Sequence, residues 1–314
     1  VELTHREALL RGVRIHFVEA GEGPPVVLLH GFPEFWYSWR RQMEALAEAG
    51  FRAVAPDQRG YNRSGKPRGV DAYRVDELAA DVAALIRHVG AERAAVAGHD
   101  WGGAVAWHLA RHRPDVLDRL VILNAPHPEI FRRHVRSPGQ LLRSWYVLFF
   151  QLPLLPELAF RAFDYAILDR ILRREPVRPG AFDEEDIRRY RHALDRPGAL
   201  TAAINWYRAA FRDGMMAGGA GQPARRDSDG DGAGRDAEGG SGSVPNRRPR
   251  DPVQVPTLVI WGMRDRYLGP ELLEGLDRWV GDLRVERITD ASHWVLADAP
   301  ERVGDLMLDF LRAG

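Results

Sequence analysis

The stretch VAGHDWGGAVAWHLA, from Val96 to Ala110, restricts the fold more than any other part of this 314-residue chain. A short apolar run leads into Gly98-His99-Asp100-Trp101-Gly102, and a segment of helical periodicity follows. Two glycines spaced this way between a strand and a helix mark a sharp bend that lifts its central side chain above the end of a sheet. Side chains at the glycine positions would collide with their neighbours. A nucleophile belongs at the centre of such a bend, and here the residue is Asp100, at a helix N-terminus where the positive dipole end favours a carboxylate. The plainer reading is that Asp100 is a helix N-cap. A cap accounts for an aspartate, but not for the flanking glycines or for the partners below.

The bend sits inside a repeated strand–helix pattern. Val13 to Gly21 alternates like a half-buried strand, and Pro24 to Gly31 is a solid apolar run like a covered central strand. Helical signals near Trp39 to Ala49, Val75 to Val89 and Gly102 to His112 alternate with strand signals at Phe51 to Asp57, AAVAGHD and Asp118 to Pro126. This predicts an α/β fold, a mostly parallel sheet with helices on both faces. From His127 to Arg212 the signals are helical and rich in aromatics. The pattern then resumes with a strand at Val255 to Gly262, a helix from Pro270, the strand LRVERIT and a closing helix after Pro300. We therefore expect a core of residues 1–126 and 252–314 and an inserted helical cap of residues 127–212 over the C-terminal strand edge, where ligands bind in open α/β sheets.

Residues 213–251 are dominated by Gly, Ser, Asp, Arg and Pro, and are expected to form a flexible Gly/Asp/Arg-rich loop. Within them Asp227, Asp229, Asp231, Gly232 and Glu238 match a calcium-loop pattern. The flanking GGAGQPARR and GGSGSVP are poor helix formers, so chance in a biased tract is the favoured explanation.

Composition removes several classes. Acidic and basic residues balance at 44 each, which argues against a nucleic-acid partner. There is no cysteine, hence no disulfide framework and no thiolate nucleophile or metal site. The N-terminal VELTHREALLRG lacks an apolar signal region, and Trp145 to Phe160 is interrupted by Gln151, Pro153 and Pro156, short of the roughly 20 apolar residues a membrane span needs. A cytoplasmic protein that needs neither cofactor, metal nor membrane is the expectation. A homodimer is left open.

A nucleophile at such a bend is followed in the chain by an acid and then a histidine. His293, in DASHWVLADAP, falls on the loop after the last expected strand, and Asp265, in WGMRDRYLG, on the loop after the strand before it. Both lie on the same sheet edge as Asp100. Asp290 and Asp298 are rival acids in less suitable places. Of the other histidines, His30 suits a buried hydrogen-bonding role and His99 support of the turn, whereas His88, His108 and His112 fall on helices. Two backbone N–H groups should form an oxyanion hole, one from Trp101 and one from Phe32 in HGFPE, a loop that Pro33 stiffens.

A carboxylate in place of a hydroxyl changes the chemistry. A serine oxygen attacking a saturated carbon would form an ether that water does not readily cleave. Asp100 would form an alkyl ester, whose carbonyl water activated by His293 can attack. The substrate is then a carbon bearing a strained or good leaving group, which means an epoxide or an alkyl halide. An epoxide oxygen needs a proton, and Tyr146 in RSWYVLFFQLP and Tyr207 in INWYRAAF are candidate donors, although a tyrosine among Trp and Phe is commonly just core. Trp101, Phe149 and Trp206 are expected to line an apolar pocket.

Taken together, HGFPE, DQRGYNRSGKP, GHDWGG, RSWYVLFFQLPLLPE, INWYR, WGMRD and ASHW resemble the epoxide hydrolases of the α/β-hydrolase fold, over nearly the whole chain apart from residues 214–250. The resemblance implies hydrolysis of an epoxide to a diol. Asp100 matches the nucleophile, Asp265 the charge-relay acid, His293 the base, Phe32 and Trp101 the oxyanion donors, and Tyr146 and Tyr207 the cap tyrosines. GHDWGG alone is shared with haloalkane dehalogenases. Those usually carry a side-chain N–H donor where this chain has Phe32, and fluoroacetate dehalogenases carry arginine where it has Trp101. An inactive hydrolase-fold ligand-binding protein would have no need of an aligned triad, and a serine esterase is excluded by Asp100 itself.

Overall fold

The apolar runs become the middle of a sheet, and the glycine bend falls where that sheet changes direction of growth. The computed structural model describes residues 1–135, 137–214 and 252–313. The calcium-like pattern from Asp227 to Glu238 lies outside them. Along the chain come β1 (Thr4–Leu10), β2 (Val13–Ala20), β3 (Pro25–Leu29), α1 (Arg40–Glu48), β4 (Arg52–Pro56), α2 (Val75–His88), β5 (Ala94–His99), α3 (Trp101–His112) and β6 (Leu117–Leu123). Seven helices follow: α4 (Pro128–His134), α5 (Pro138–Arg143), α6 (Trp145–Phe149), α7 (Leu155–Arg161), α8 (Ala166–Arg174), α9 (Glu184–Asp195) and α10 (Ala199–Arg212). The chain closes with β7 (Thr257–Gly262), β8 (Leu283–Ile288), α11 (Val295–Asp298) and α12 (Pro300–Arg312).

The eight strands form one sheet in the order β1-β2-β4-β3-β5-β6-β7-β8. The β1/β2 and β2/β4 pairs are antiparallel and the rest parallel. From β3 the chain moves outward to β4 and then returns to place β5 on the other side of β3. The ends of β3 and β5 therefore flank a switch point, the place where an open α/β sheet leaves a crevice for a ligand. Phe32 follows β3 and Asp100 follows β5.

The central strands are apolar because both faces are covered. Every residue of β5 and β7 is buried, as are the last four of β3 and of β6. Trp39, Trp107 and Trp261 are fully buried around this sheet. Trp107 donates its indole N–H to the Ala125 carbonyl at 3.1 Å, whereas the indole N–H groups of Trp39 and Trp261 are buried without a partner among the described residues.

Two expectations change. The N-terminal THREALL forms β1, an edge strand paired with β2, with Leu9 three-quarters exposed. It lacks the apolar alternation that identifies a half-buried strand. The region after Pro270 is two short 3₁₀ turns, Pro270–Leu273 and Leu276–Arg278, because Gly275 at φ +71° breaks any continuous helix.

The bend between β5 and α3 is packed to the limit. A Cβ on Gly98 would meet the Gly102 carbonyl, one on Gly102 would meet the Leu29 carbonyl, and one on Gly103 would meet the Ala125 methyl. Gly102→Ala should therefore lower stability by about 1–3 kcal/mol, read as a reduced midpoint in urea denaturation. An unchanged midpoint would mean that α3 can move away from β3 at no cost.

Candidate active site

Asp100 is the hinge of the bend. Its backbone adopts φ 51°, ψ −117°, a sparsely populated conformation for a residue with a side chain, and one that persists only where the surroundings enforce it. Its N–H donates to the Leu123 carbonyl at 3.2 Å, and its own carbonyl accepts the first helical bond of α3, from Ala104 at 3.0 Å. The side chain makes no capping bond to α3, so the N-cap reading fails. Instead Oδ1 accepts the Phe32 N–H at 2.9 Å across the switch point. Gly31 leaves room for this, since a Cβ there would strike the Asp100 carboxylate. The Phe32–Pro33 peptide bond is cis.

On the other side of Asp100 lies His293, in the loop between β8 and α11. Its Nε2 is 3.7 Å from Asp100 Oδ2, and its Nδ1 is 2.8 Å from Asp265 Oδ2. Asp265, just past β7, is buried and fully partnered. Oδ1 accepts the N–H groups of Tyr267 at 2.7 Å and Leu268 at 2.9 Å, and Oδ2 also accepts from Asn124 Nδ2 at 2.7 Å. Burial alone would raise the Asp265 pKa; His293 and these donors outweigh it and hold it below the ordinary carboxylate value. For His293 burial opposes protonation, but Asp265, Asp100 and Glu34 prevail and raise its pKa to about 9.

Two residues of this network have no place in the sequence reading. Asn124, at φ 40° just past β6, accepts the Gly262 N–H at 2.9 Å and so locks the acid loop to the neighbouring strand end. A polar residue closing the apolar run LVILN was the available signal. Glu34 is buried, and its Oε2 is 2.8 Å from His99 Nδ1, while His99 Nε2 is 2.8 Å from the His293 carbonyl oxygen. His99 thus supports the His293 loop from behind. An acid at the end of HGFPE was visible, but nothing local showed that it turns inward. The rival Asp298 accepts from Ser292 N at 2.8 Å and Ser292 Oγ at 2.6 Å, which steadies the same loop without touching the imidazole. Asp290 is exposed. His30 is buried, with its ring bonded to the Gly31 carbonyl and the Gln58 N–H.

A cavity of about 670 Å³ opens above Asp100, and Trp101, Tyr146 and Tyr207 line it. Tyr146 on α6 and Tyr207 on α10 meet edge to face, their centroids 5.9 Å apart. Arg208 sets this meeting. Its guanidinium pairs with Glu157 at 2.8 Å and donates to the carbonyls of Phe150 at 2.9 Å and Leu152 at 2.9 Å, clamping α10 to the connection after α6. Both phenols have raised pKa values. Burial is the main cause for each, with Asp100 next for Tyr146, and Tyr146 and then Asp100 next for Tyr207. Both therefore remain protonated donors facing a carboxylate.

Phe149 and Trp206 do not line this cavity. Trp206 is fully buried behind Trp101, its N–H donating to the Arg59 carbonyl at 3.1 Å. Phe149 points toward Trp145 and Phe150. One residue's step around a helix separates Trp206 from Tyr207, and periodicity alone does not say which faces the ligand. Phe32 and Phe150 supply the apolar packing around Tyr207 instead, and Phe160 packs against both of them.

The relatives of this chain agree with its geometry. A family model described as alpha/beta hydrolase fold matches residues 24–300. The chain is 41% identical over 304 residues to the AB hydrolase superfamily protein YfhM of Bacillus subtilis (strain 168), covering 96% of this chain and 95% of that one. It is 33% identical over 309 residues to epoxide hydrolase 4 of Mus musculus, covering 96% and 77%. Among solved structures, an epoxide hydrolase from Bacillus megaterium bound to an inhibitor superposes with TM-score 0.80 at 26% identity, over 98% and 99% of the two chains. An epoxide hydrolase from hot-environment metagenomes gives TM-score 0.80 at 31% identity over the whole of both. The bend, the strand order and these similarities together place the chain in the epoxide hydrolase family of the α/β-hydrolase fold.

Proposed function

We propose that this protein opens an apolar epoxide to a vicinal diol through an ester on Asp100. The observation that carries this reading is one carboxylate held between a backbone donor and an imidazole, with two protonated phenols on the cavity wall. Oδ1, fixed by the Phe32 N–H, keeps the character of a carbonyl oxygen. Oδ2 is the atom that attacks an epoxide carbon, forming the C–O ester bond as the ring C–O bond breaks. Tyr146 or Tyr207 gives its proton to the departing ring oxygen. The resulting phenolate regains a proton from His293. The imidazolium releases it because esterification removes the Asp100 charge, one of the three carboxylates that hold the proton in place.

The neutral imidazole then takes a proton from water, and the hydroxide adds to Cγ of Asp100. The oxyanion forms on Oδ1, facing the Phe32 N–H; the Trp101 N–H, unpaired within its helix as every first-turn N–H is, is the second donor. Collapse expels the diol oxygen, which takes the proton of the new carboxyl group. The enzyme returns to carboxylate, imidazolium and two phenols. The cavity of about 670 Å³ suits a small organic ligand.

His293→Gln should accumulate the ester, because alkylation needs Oδ2 and a phenol but no base. Intact-protein mass spectrometry after mixing with styrene oxide should show one added substrate mass, absent in Asp100→Ala. No adduct would sink the two-step scheme. Tyr146→Phe combined with Tyr207→Phe should slow alkylation by about 10²–10⁴ and ester hydrolysis far less, as resolved by rapid quench. The reverse split would remove both phenols from the leaving-group role. His293 also makes stability depend on pH. Its folded pKa of about 9 lies above the ordinary 6.5, so the stabilisation is complete below pH 6.5 and lost as pH rises through 9. The stability difference between wild type and His293→Gln should shrink by a few kcal/mol over that interval, measured by urea denaturation. A constant difference would show that the fold does not hold an imidazolium.

A further inference from the structure

We infer that Arg111 and Arg132 form a subsite for the anionic end of an elongated epoxide whose ring is held at Asp100. The inference rests on the epoxide reading of the site and narrows its substrate from an apolar epoxide in general to one whose apolar stem ends in an anionic group. The cavity that begins at Asp100 does not stop at the tyrosines. It continues along α3 past Ala104 and His108 to Arg111, with Phe131 and Arg132 of α4 on the opposite wall. Positions 100, 104, 108 and 111 share one face of a helix, and eleven residues of rise put Arg111 about 16 Å along the axis from the nucleophile. The flexible arginine side chain shortens the gap that a ligand must bridge.

The charge at this far end does not cancel. Arg111 pairs with Glu129 at 3.2 Å, and Arg132 pairs with the same carboxylate. Two guanidinium groups thus share one anion. Elsewhere along the wall the guanidinium groups are matched, Arg74 with Asp213 at 3.0 Å and Asp76 at 3.9 Å and Arg212 with Asp71 at 3.7 Å, while His108, lowered to about 4 chiefly by burial, is a neutral partner of Asp76. The crowding is felt by a neighbour. His127 is driven down to about 3, by burial first and then by Arg111, Arg132 and Arg133. Arg133 is occupied over the Trp279 ring, 5.2 Å from its centroid, which leaves Arg111 and Arg132 as the pair facing the cavity. Glu129 is mostly buried while Arg111 is about one-third exposed, so an incoming carboxylate or phosphate meets the guanidinium edge in a partly desolvated setting where charge-assisted hydrogen bonds are strongest.

The test compares an acid with its methyl ester, using epoxyundecanoate with the ring at the end away from the carboxylate, and epoxybutanoate as a pair too short to span the cavity. The wild type should give kcat/KM for the long acid about tenfold above the long ester, and a ratio near one for the short pair. Arg111→Met with Arg132→Met should bring the long-pair ratio to about one. Glu129→Gln, which frees both arginines, should raise it. The ratio is read within each variant, so a loss of folded protein scales both terms alike. A wild-type long-pair ratio of one, a ratio unchanged in the double variant, or the same preference for the short pair would each overturn the subsite. Turnover of neither long substrate by the wild type would instead overturn the epoxide reading.

Discussion

The site exists because the chain has no alternative path at Asp100. A residue with a side chain is held at φ 51° between a strand and a helix that touch through glycines. Gly98 packs on Gly102, and Gly102 packs on the backbone of β3. Relaxing the torsion would push α3 off the sheet and break the packing of Trp107 beneath it. The core therefore maintains the strain, and the strain aims the carboxylate out of the sheet. The same contact brings β3 close enough for the Phe32 N–H to reach Oδ1. Backbone compression and the hold of the Phe32 N–H on Oδ1 are one feature seen twice.

Around that carboxylate the protein gathers more negative charge than a buried site ordinarily tolerates. Asp265 and Glu34 are both buried and both held below their ordinary pKa despite burial. Each survives because its oxygens are occupied, Asp265 by two loop N–H groups, Asn124 and His293, and Glu34 by His99 and, more distantly, Tyr190 at 3.4 Å. Breaking one partner of such a buried charge is far costlier than the net worth of the pair. The imidazole of His293 is the common counter-charge. Its proton is held by three carboxylates, and chemistry at any one of them changes how tightly.

Much of this was readable from residues. The bend announced itself through Gly98 and Gly102 because sterics at a strand–helix junction leave little choice of residue, and Asp265 and His293 through their places on the loops after the last two strands. What the sequence concealed is of three kinds. β1 lies at a sheet edge, where exposure removes the alternation that marks a strand. Asn124 and Glu34 act through contacts with distant segments, so their neighbours in the chain carry no trace of them. Phe149 and Trp206 were expected at the pocket, yet one turns toward Trp145 and the other closes the core under Arg59. An aromatic-rich helix advertises burial, not which face a ligand sees.

That last ambiguity is resolved by an interaction rather than by periodicity. In the run Asn205-Trp206-Tyr207-Arg208, Trp206 is anchored into the core and Arg208 is clamped to Glu157 and to the carbonyls that follow α6. With the residues on both sides fixed, Tyr207 has only the cavity left to enter, and the segment that Arg208 grips, from Phe150 to Glu157, directly follows the helix bearing Tyr146. The two phenols are therefore positioned by a buried ion pair outside the cavity. The carboxylate side of the site is fixed by sheet packing, the phenol side by helix-to-helix electrostatics. The distance between the two sides is set where neither mechanism acts alone, at the aromatic contact between Tyr207 and Phe32, with ring centroids 5.4 Å apart. Phe32 thus joins both halves: its N–H holds Oδ1 and its ring seats the phenol-bearing helix.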